Sequence, residues 1–482
     1  MKLNTKRTIL VSFAFFLILA FWQAYDTIMP ITLTNKFGLS QFWSGVLMAA
    51  DNVLALFLLP LFGTISDKTN SRLGKRTPFI LFGTIAAVVS TIVLSFVDFF
   101  QYKLVKAEFG AQYDIIDALY KEAQASGNPD SIFAAQKALE NLNAEVFQHV
   151  TLKNIPLLIL FTVVLLLVLI SMSTFRSAAV ALMPDITPKP LRSKGNAVVN
   201  LVGYIGGILA LGMMMITKAD GTYVMDYRGF FIALCAVMVG ALVVHMVFVK
   251  ENKWAEEAQA QGAEEEKPSE TATQTGKLSR DEKISFFLLL ASVIFWWMGY
   301  NAVATKFSVY SLNVLGRPSG IAMTIGTVAA IISFIPVGIL SGKLGRKKTV
   351  IIGVAILLAA FTAFCFVTPA TPYVLCIVLF SLAGIGWATI NINSFPMVVE
   401  LASHGNVGKY TGYYYTASMF AQVVTPMLSG LFMDEIHFKT LFPYSAICVG
   451  LSLVTMLFVK HGDVKAPIKA KEDLIEHLDI AD

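Results

Sequence analysis

The chain has 482 residues, of which 56% are hydrophobic and 14% charged, with a mean hydropathy of +0.67 and a formal net charge of +5. A soluble domain carries roughly 25% charged and 45–50% apolar residues, so a soluble globular protein is excluded and a polytopic membrane protein is indicated. No basic block stands beside aromatic residues, which argues against nucleic acid as a partner.

A spanning helix needs roughly 20 mainly apolar residues. Twelve such segments follow one another, at about 8–31, 42–64, 78–98, 155–183, 196–217, 229–249, 285–306, 319–341, 349–368, 373–399, 411–432 and 440–460. MKLNTKR leads into the first, and no small-residue cleavage site closes that run, so it reads as a retained span rather than a signal peptide. Between spans 3 and 4, residues 99–154 read as two amphipathic helices, YDIIDALYKEAQA and SIFAAQKALENLNAEVFQ, broken at Gly127-Asn128-Pro129. They predict an external helical hairpin over the outer face. Residues 251–283 are polar and rich in Ala, Glu and Gln, the composition of a flexible cytoplasmic linker. This divides the chain into a six-helix half (1–250), the linker, a second half (284–460) and a tail (461–482).

Lysine and arginine set the orientation. Lys2, Lys6 and Arg7 precede span 1, and Lys68, Arg72, Lys75 and Arg76 follow span 2. Lys343, Arg346, Lys347 and Lys348 occupy the equivalent place in the second half. Both termini are therefore expected in the cytoplasm, with the chain in the plasma (inner) membrane. The four cysteines all lie in apolar runs and form no C-x-x-C pair, so they read as small buried hydrophobes, and no metal or cofactor is expected.

The halves echo each other. GTISDKTNSRLGKRTPFI follows span 2 and GILSGKLGRKKTVII follows span 8; MPDITPKPLRSKGNAVVN and FPMVVELASHGNVGKYTG close spans 4 and 10. Two related halves with equivalent loops predict parallel repeats about an axis normal to the membrane. The paired loops resemble the signature loops of the major facilitator superfamily. SDKTNSRLGKRTPFI and TFRSAAVALMPDITPKPLRSKGNAVVN are similar to loops of its glycoside–pentoside–hexuronide symporters, in particular the sucrose–proton branch. The resemblance implies an all-α fold of twelve transmembrane helices and a rocker-switch sugar symporter driven by protons. It also implies substrate contact at Arg176 and a gating loop of Asp67, Arg72, Gly74, Lys75 and Arg76. Asp185, Arg192, Asn196 and Ala197 match the second motif, and Gly345, Arg346 and Glu400 stand at the corresponding places in the second half.

Ionisable groups inside the spans are few, and a charge at the bilayer centre costs about 2.5–3.5 kcal/mol. At 1.5 Å rise per residue, Arg176 lies roughly 14 Å above Asp185 at the cytoplasmic mouth, Asp51 roughly 18 Å above Gly63, and Asp26 roughly 28 Å from Arg7. Arg176 and Asp51 thus fall near mid-depth, where transporter sites lie. The melibiose-type members of the group it resembles place two acids within about one turn of span 2 for sodium; here span 2 offers Asp51 with Asn52 and no second acid, a departure that disfavours sodium. Arg176 can pair with a carboxylate or donate to sugar hydroxyls, and a pairing that changes with conformation would couple a proton to transport. Sugar sites also use aromatic faces and amides. Trp22 and Tyr25 share the Asp26 face of span 1. Trp297, Tyr300 and Asn301 lie on span 7, Asn391 on span 10 and Gln422 on span 11. Asp67 and the bases after it are expected to pair across the two halves and to cap helix ends when the cytoplasmic side is closed.

These residues predict a secondary active transporter, working as a monomer, that imports a disaccharide or related glycoside with protons. A sodium-coupled or uncoupled carrier and a non-transporting sugar receptor are the alternatives. A membrane enzyme is disfavoured, because no H-x-x-H or D-x-x-D pattern lies at a span end.

Overall fold

A computed structural model describes residues 4–126, 129–187, 192–217, 223–263, 280–400 and 407–461. Among the described residues the regular structure is entirely helical. The first half comprises α1 (Thr5–Ile31), α2 (Gln41–Lys68), α3 (Thr77–Ser126), α4 (Pro129–Val146), α5 (Ile155–Ile186), α6 (Arg192–Thr217) and α7 (Arg228–Phe248). A short helix, α8 (Glu251–Ala263), follows. The second half comprises α9 (Arg280–Asn313), α10 (Gly320–Leu344), α11 (Arg346–Phe364), α12 (Tyr373–Glu400), α13 (Val407–Glu435) and α14 (Leu441–Phe458). Eleven described helical segments are long and apolar enough to cross a membrane. The remaining expected span coincides with α10, a 25-residue helix.

Local chemistry sets the helix ends. The Asn4 side chain accepts the Arg7 N–H (3.1 Å) at the start of α1, and Ser40 accepts from Trp43 (3.4 Å) at the start of α2. Prolines stand inside six of the spans, at Pro30, Pro60, Pro184, Pro336, Pro396 and Pro426. Each removes a backbone donor, and such breaks persist in spanning helices where hydroxyls and neighbouring helices satisfy the freed groups. Thr34 and Thr64, four residues on, each donate a hydroxyl (2.8 Å) to the proline's own carbonyl.

Within the first half α1 packs on α6 and α7, and α5 on α2 and α3; within the second α12 packs on α10 and α11, and α9 on α13 and α14. The halves meet along α2–α13, α6–α10 and α1–α9. Each half has its own apolar core.

The expected external helical hairpin between the third and fourth spans is present, formed by the far part of α3 and by α4. α3 runs without a break for 50 residues, and α4 joins α5 through a π turn at Phe147–Thr151 and a single 3-10 turn. The third and fourth spans simply continue beyond the bundle. Val105, Phe109, Tyr113, Ile116 and Tyr120 on α3, with Ala135, Leu139, Leu142 and Val146 on α4, form a buried stripe at helical spacing. That stripe merges with the core of the second half. One element differs from the sequence reading: α8 occupies the start of the expected flexible linker. Its Trp254 and Ala258, one turn apart, are buried. Trp254 also lies under the Arg7 guanidinium (5.2 Å) while Arg7 pairs with Glu257. A polar composition concealed a narrow apolar seam. The remainder of the linker, 264–279, and the tail from 462 lie outside the described residues.

Candidate functional site at the centre of the bundle

Asp26, Asp51 and Arg176 come from α1, α2 and α5, three neighbouring helices of the first half. All three side chains are half-buried, so they border open space rather than the packed core. Arg176 sits in the electrostatic field of Asp51 and Asp26 and of Tyr415 on α13, yet neither carboxylate reaches salt-bridge distance. The guanidinium lies over the Trp22 ring, 5.8 Å from its centroid, a geometry that stabilises the cation. Trp22 and Tyr25 meet edge to face (5.4 Å). The Trp22 indole N–H and the Tyr25 hydroxyl are buried without a protein partner. Asn52 donates to Asp51 (2.7 Å), which fixes that carboxylate by its neighbour rather than by Arg176. The three charges thus stand close, mutually unpaired and facing the other half.

The second half presents aromatics. Trp297 stacks on Trp296 (4.6 Å) and meets Tyr300 edge to face (6.4 Å); Tyr300 stacks on Trp387 of α12 (5.6 Å). Asp26 acts electrostatically on Tyr300, so α1 and α9 bring the acid and this ring together across the halves. Tyr204 of α6 joins the same group, 5.9 Å from Phe334 and 6.2 Å from Trp387. The sequence reading did not select Tyr204, because a single tyrosine in an apolar run carries no signal until the helices meet. Asn301 is buried and donates to the Gln422 carbonyl (3.4 Å), and Gln422 donates to the Ser418 carbonyl (3.2 Å). Asn301 thus ties α9 to α13, whereas the Gln422 side chain bonds within its own helix. Asn391 is half-buried and makes no hydrogen bond among the described residues.

The loop motif folds into a compact cluster on the face that carries the termini. Arg76 is buried and donates to Asp185 (2.8 Å), to Asp67, to Ser66 and to the Gly63 carbonyl (3.4 Å). Burial works against its charge, but the bonds to Asp185 and Asp67 and their charges outweigh it and hold the guanidinium above its ordinary value. Among the described residues the cluster makes no bond across the halves, a pairing expected for the form closed on the cytoplasmic side. The cluster ties α2, α3 and α5 of one half together, and Arg76 has spent its donors there. Arg72 and Lys75 are exposed. Glu251, the first residue of α8, accepts from the Lys75, Arg76 and Thr77 amides (2.7, 2.8 and 2.8 Å) and from the Thr77 hydroxyl (2.7 Å). It caps the N-terminus of α3 from outside the helix. Gly74 has φ +117°, and a Cβ there would overlap the Glu251 carboxylate, so only glycine fits. Gly345 joins α10 to α11 and Arg346 opens α11. The side chains of Arg192, Asn196, Ala197 and Glu400 lie outside the described residues.

Two buried cations escaped the sequence reading, both on the face opposite the termini. Lys36 is fully buried and pairs with Asp98 (2.6 Å), with the Tyr227 ring 3.9 Å from its Nζ. Lys306 on α9 is fully buried and donates to the Gln41 carbonyl (2.8 Å) and side chain (3.3 Å). Both stand near the ends of apolar runs, where a lysine reads as a topology signal.

Comparisons with known proteins bear on the family and the fold. The profile described as Major Facilitator Superfamily matches residues 147–319 and 318–480, and the profile described as MFS/sugar transport protein matches residues 12–125. The inward-open xylose transporter XylE from E. coli superposes with a TM-score of 0.63 at 14% identity, covering 98% of this chain and 100% of that one. A point mutant of the nucleoside transporter NupG gives 0.59 at 11% identity, covering 94% and 100%. At such identities the likeness is one of fold. An uncharacterized symporter of Bacillus subtilis (strain 168), YnaJ, is 32% identical over 72 residues, which span 15% of this chain and only 16% of that relative. The superfamily profile spans most of the sequence and the fold extends over nearly all of it, so the chain belongs to the Major Facilitator Superfamily and is a membrane transporter rather than an enzyme.

Proposed function

We propose that this transporter is a symporter of the glycoside–pentoside–hexuronide type, importing a disaccharide or related glycoside with protons by alternating access. The observation that carries this reading is the unpaired triad of Asp26, Asp51 and Arg176, which faces a group of aromatic rings on the other half. Sugars are recognised by donors and acceptors for their hydroxyls and by aromatic faces for their C–H surfaces. Arg176, the free Asn391 amide and the unpartnered Trp22 and Tyr25 donors supply the first; Tyr300, Trp387 and Tyr204 supply the second. A carboxylate held close to Arg176 but not bonded to it responds to any change in that distance. Substrate or rocking that moves Arg176 toward Asp26 or Asp51 therefore releases a proton, and movement away recovers it. The sugar-transport profile over residues 12–125 and the fold shared with a xylose–proton symporter support the same reading.

The test is proton flux in reconstituted vesicles against a panel of mono- and disaccharides. A pH jump without sodium is expected to drive uptake. Uptake that is insensitive to a protonophore, or that requires sodium, would remove the proton from the proposal.

A further inference from the structure

Between described residues, the hydrogen bonds that cross from one half to the other all lie at the face opposite the termini, and they share one design. Most join a side chain of one half to an end-of-helix backbone group of the other. The end of α9 and Val314 just after it present carbonyls that the helix itself does not pair, although Leu312 also accepts the Gly316 N–H (3.1 Å). Three side chains of the first half reach them. Tyr120 on α3 donates to Asn313, Gln136 on α4 to Val314 (3.2 Å), and Tyr223, which precedes α7, to Leu312 (3.3 Å). The first turn of α2 leaves amides without acceptors. Asp434 on α13 accepts from Gln41 and Phe42 (2.7 Å each), and Lys306 of α9 donates to the Gln41 carbonyl. Each half finishes helices of the other.

The helices approach closely enough for this because α2 and α13 meet through glycines. A Cβ at Gly45 would overlap the Pro426 carbonyl oxygen, and one at Gly430 would overlap that of Gln41. Gln41 and Gly45 are four residues apart, as are Pro426, Gly430 and Asp434, so two helical rows interlock. The closed face also buries polar side-chain atoms without protein partners: the Asn313 Nδ2 and Oδ1, the Gln136 Oε1 and the Ser308 hydroxyl. Such atoms favour a hydrated alternative. The closure is held by specific bonds and opposed by others, the balance a reversible gate requires.

We propose that these reciprocal caps are the outer lock of the transporter, with the extensions of α3 and α4 as its bolt. The proposal rests on the alternating-access reading. The lock is made in the form seen here and broken when the outer face opens, and its strength sets the ratio of the two forms. Opening transfers the α9 carbonyls and the α2 amides to water, and re-forming the caps closes the face.

The test is pulsed electron–electron distance measurement on full-length protein in nanodiscs. One spin-label pair replaces the exposed Lys121 and Lys439 on the outer face. A second replaces the exposed Lys68 and Lys343 on the face of the termini. Variants are Tyr120→Phe with Gln136→Leu, Asp434→Asn, and Gly430→Ala as an independent wedge. Each is expected to raise the long-distance population of the outer pair about tenfold. The inner pair is expected to shorten in step, a reciprocal change that general loosening does not produce. An unchanged outer distribution in the folded, monodisperse Tyr120→Phe/Gln136→Leu protein and in Gly430→Ala overturns the lock. Lengthening of the outer pair with no change in the inner pair is general loosening and overturns the lock, whereas failure of the transport reading itself shows separately, as absence of sugar-dependent proton flux in vesicles.

Discussion

Arg176 illustrates how a single side chain can be conspicuous in sequence and still depend on the fold for its partners. A charge within an apolar run is costly, so Arg176, Asp51 and Asp26 stand out from their neighbours in the chain alone. Their relation to one another was not legible, because it depends on how α1, α2 and α5 turn. The fold brings them within electrostatic reach without bonding them, and it places the Trp22 ring beneath the guanidinium. Arg176→Lys keeps the charge but loses the planar fork and its stacking. It is expected to lower proton-driven sugar uptake at least about tenfold, equivalent to about 1.4 kcal/mol, while the protein remains folded. Full coupled transport by this variant would rule out the bidentate role. Asp51→Asn separates binding from coupling. Sugar counterflow, which needs no net proton movement, is expected to persist, whereas proton flux is lost and uptake ceases to vary with pH. If flux persists in Asp51→Asn and disappears in Asp26→Asn, the coupling acid is on α1. Lys36 and Lys306 show the opposite case. Lysines near span ends are ordinary, and what makes these unusual is burial against Asp98 and against a backbone carbonyl, neither of which a sequence displays.

At the level of elements, hydropathy located the spans well because length and apolarity are written residue by residue. It failed where an element depends on a few contacts. α8 reads as linker because ENKWAEEAQAQGA is mostly polar, but Trp254 and Ala258 are one turn apart and Glu251 finds the free amides of α3. Glu251→Ala removes four acceptor contacts from a buried helix start and is expected to cost about 1–3 kcal/mol. Thermal unfolding in micelles measures this, with Glu251→Gln, which keeps one acceptor oxygen, falling between the two. An equal melting temperature for Glu251→Ala and the parent would show that water replaces the cap. The extension between the third and fourth spans gave a partial reading. The amphipathic period was visible, and so was the break at Gly127-Asn128-Pro129. The depth of Arg176 already implied that the fourth span runs on into the insertion; the unbroken run of α3 past the third span was less visible, because the apolar character falls off at residue 99 while the helix does not. The motif loop was legible as a cluster, but not in direction. Arg76 turns inward to Asp185 and Asp67 of its own half. Arg76→Lys is accordingly expected to destabilise the first half more than it alters the ratio of outer-open to outer-closed forms, which the same unfolding and spin-label measurements resolve.

For the molecule as a whole, the two halves are alike in plan and unlike in equipment. The first supplies the charged triad and both long extensions, and the second supplies most of the aromatic rings. The internal echo of the loops shows the likeness; the division of labour emerges only when the halves face each other. The outer closure carries a consequence for how this sequence can drift. Three of its acceptors, at Leu312, Asn313 and Val314, are main-chain carbonyls, which every residue type possesses. Their side chains can change without removing the bonds, whereas Tyr120, Gln136 and Tyr223 donate through atoms that few residues share. A saturation scan scored for growth on the transported sugar is expected to find the three donors intolerant and Leu312 and Val314 permissive to apolar exchange. The same trait would leave little trace of paired change between the two sides, so a contact that holds the halves together would be nearly silent to any search that looks for residues varying in concert.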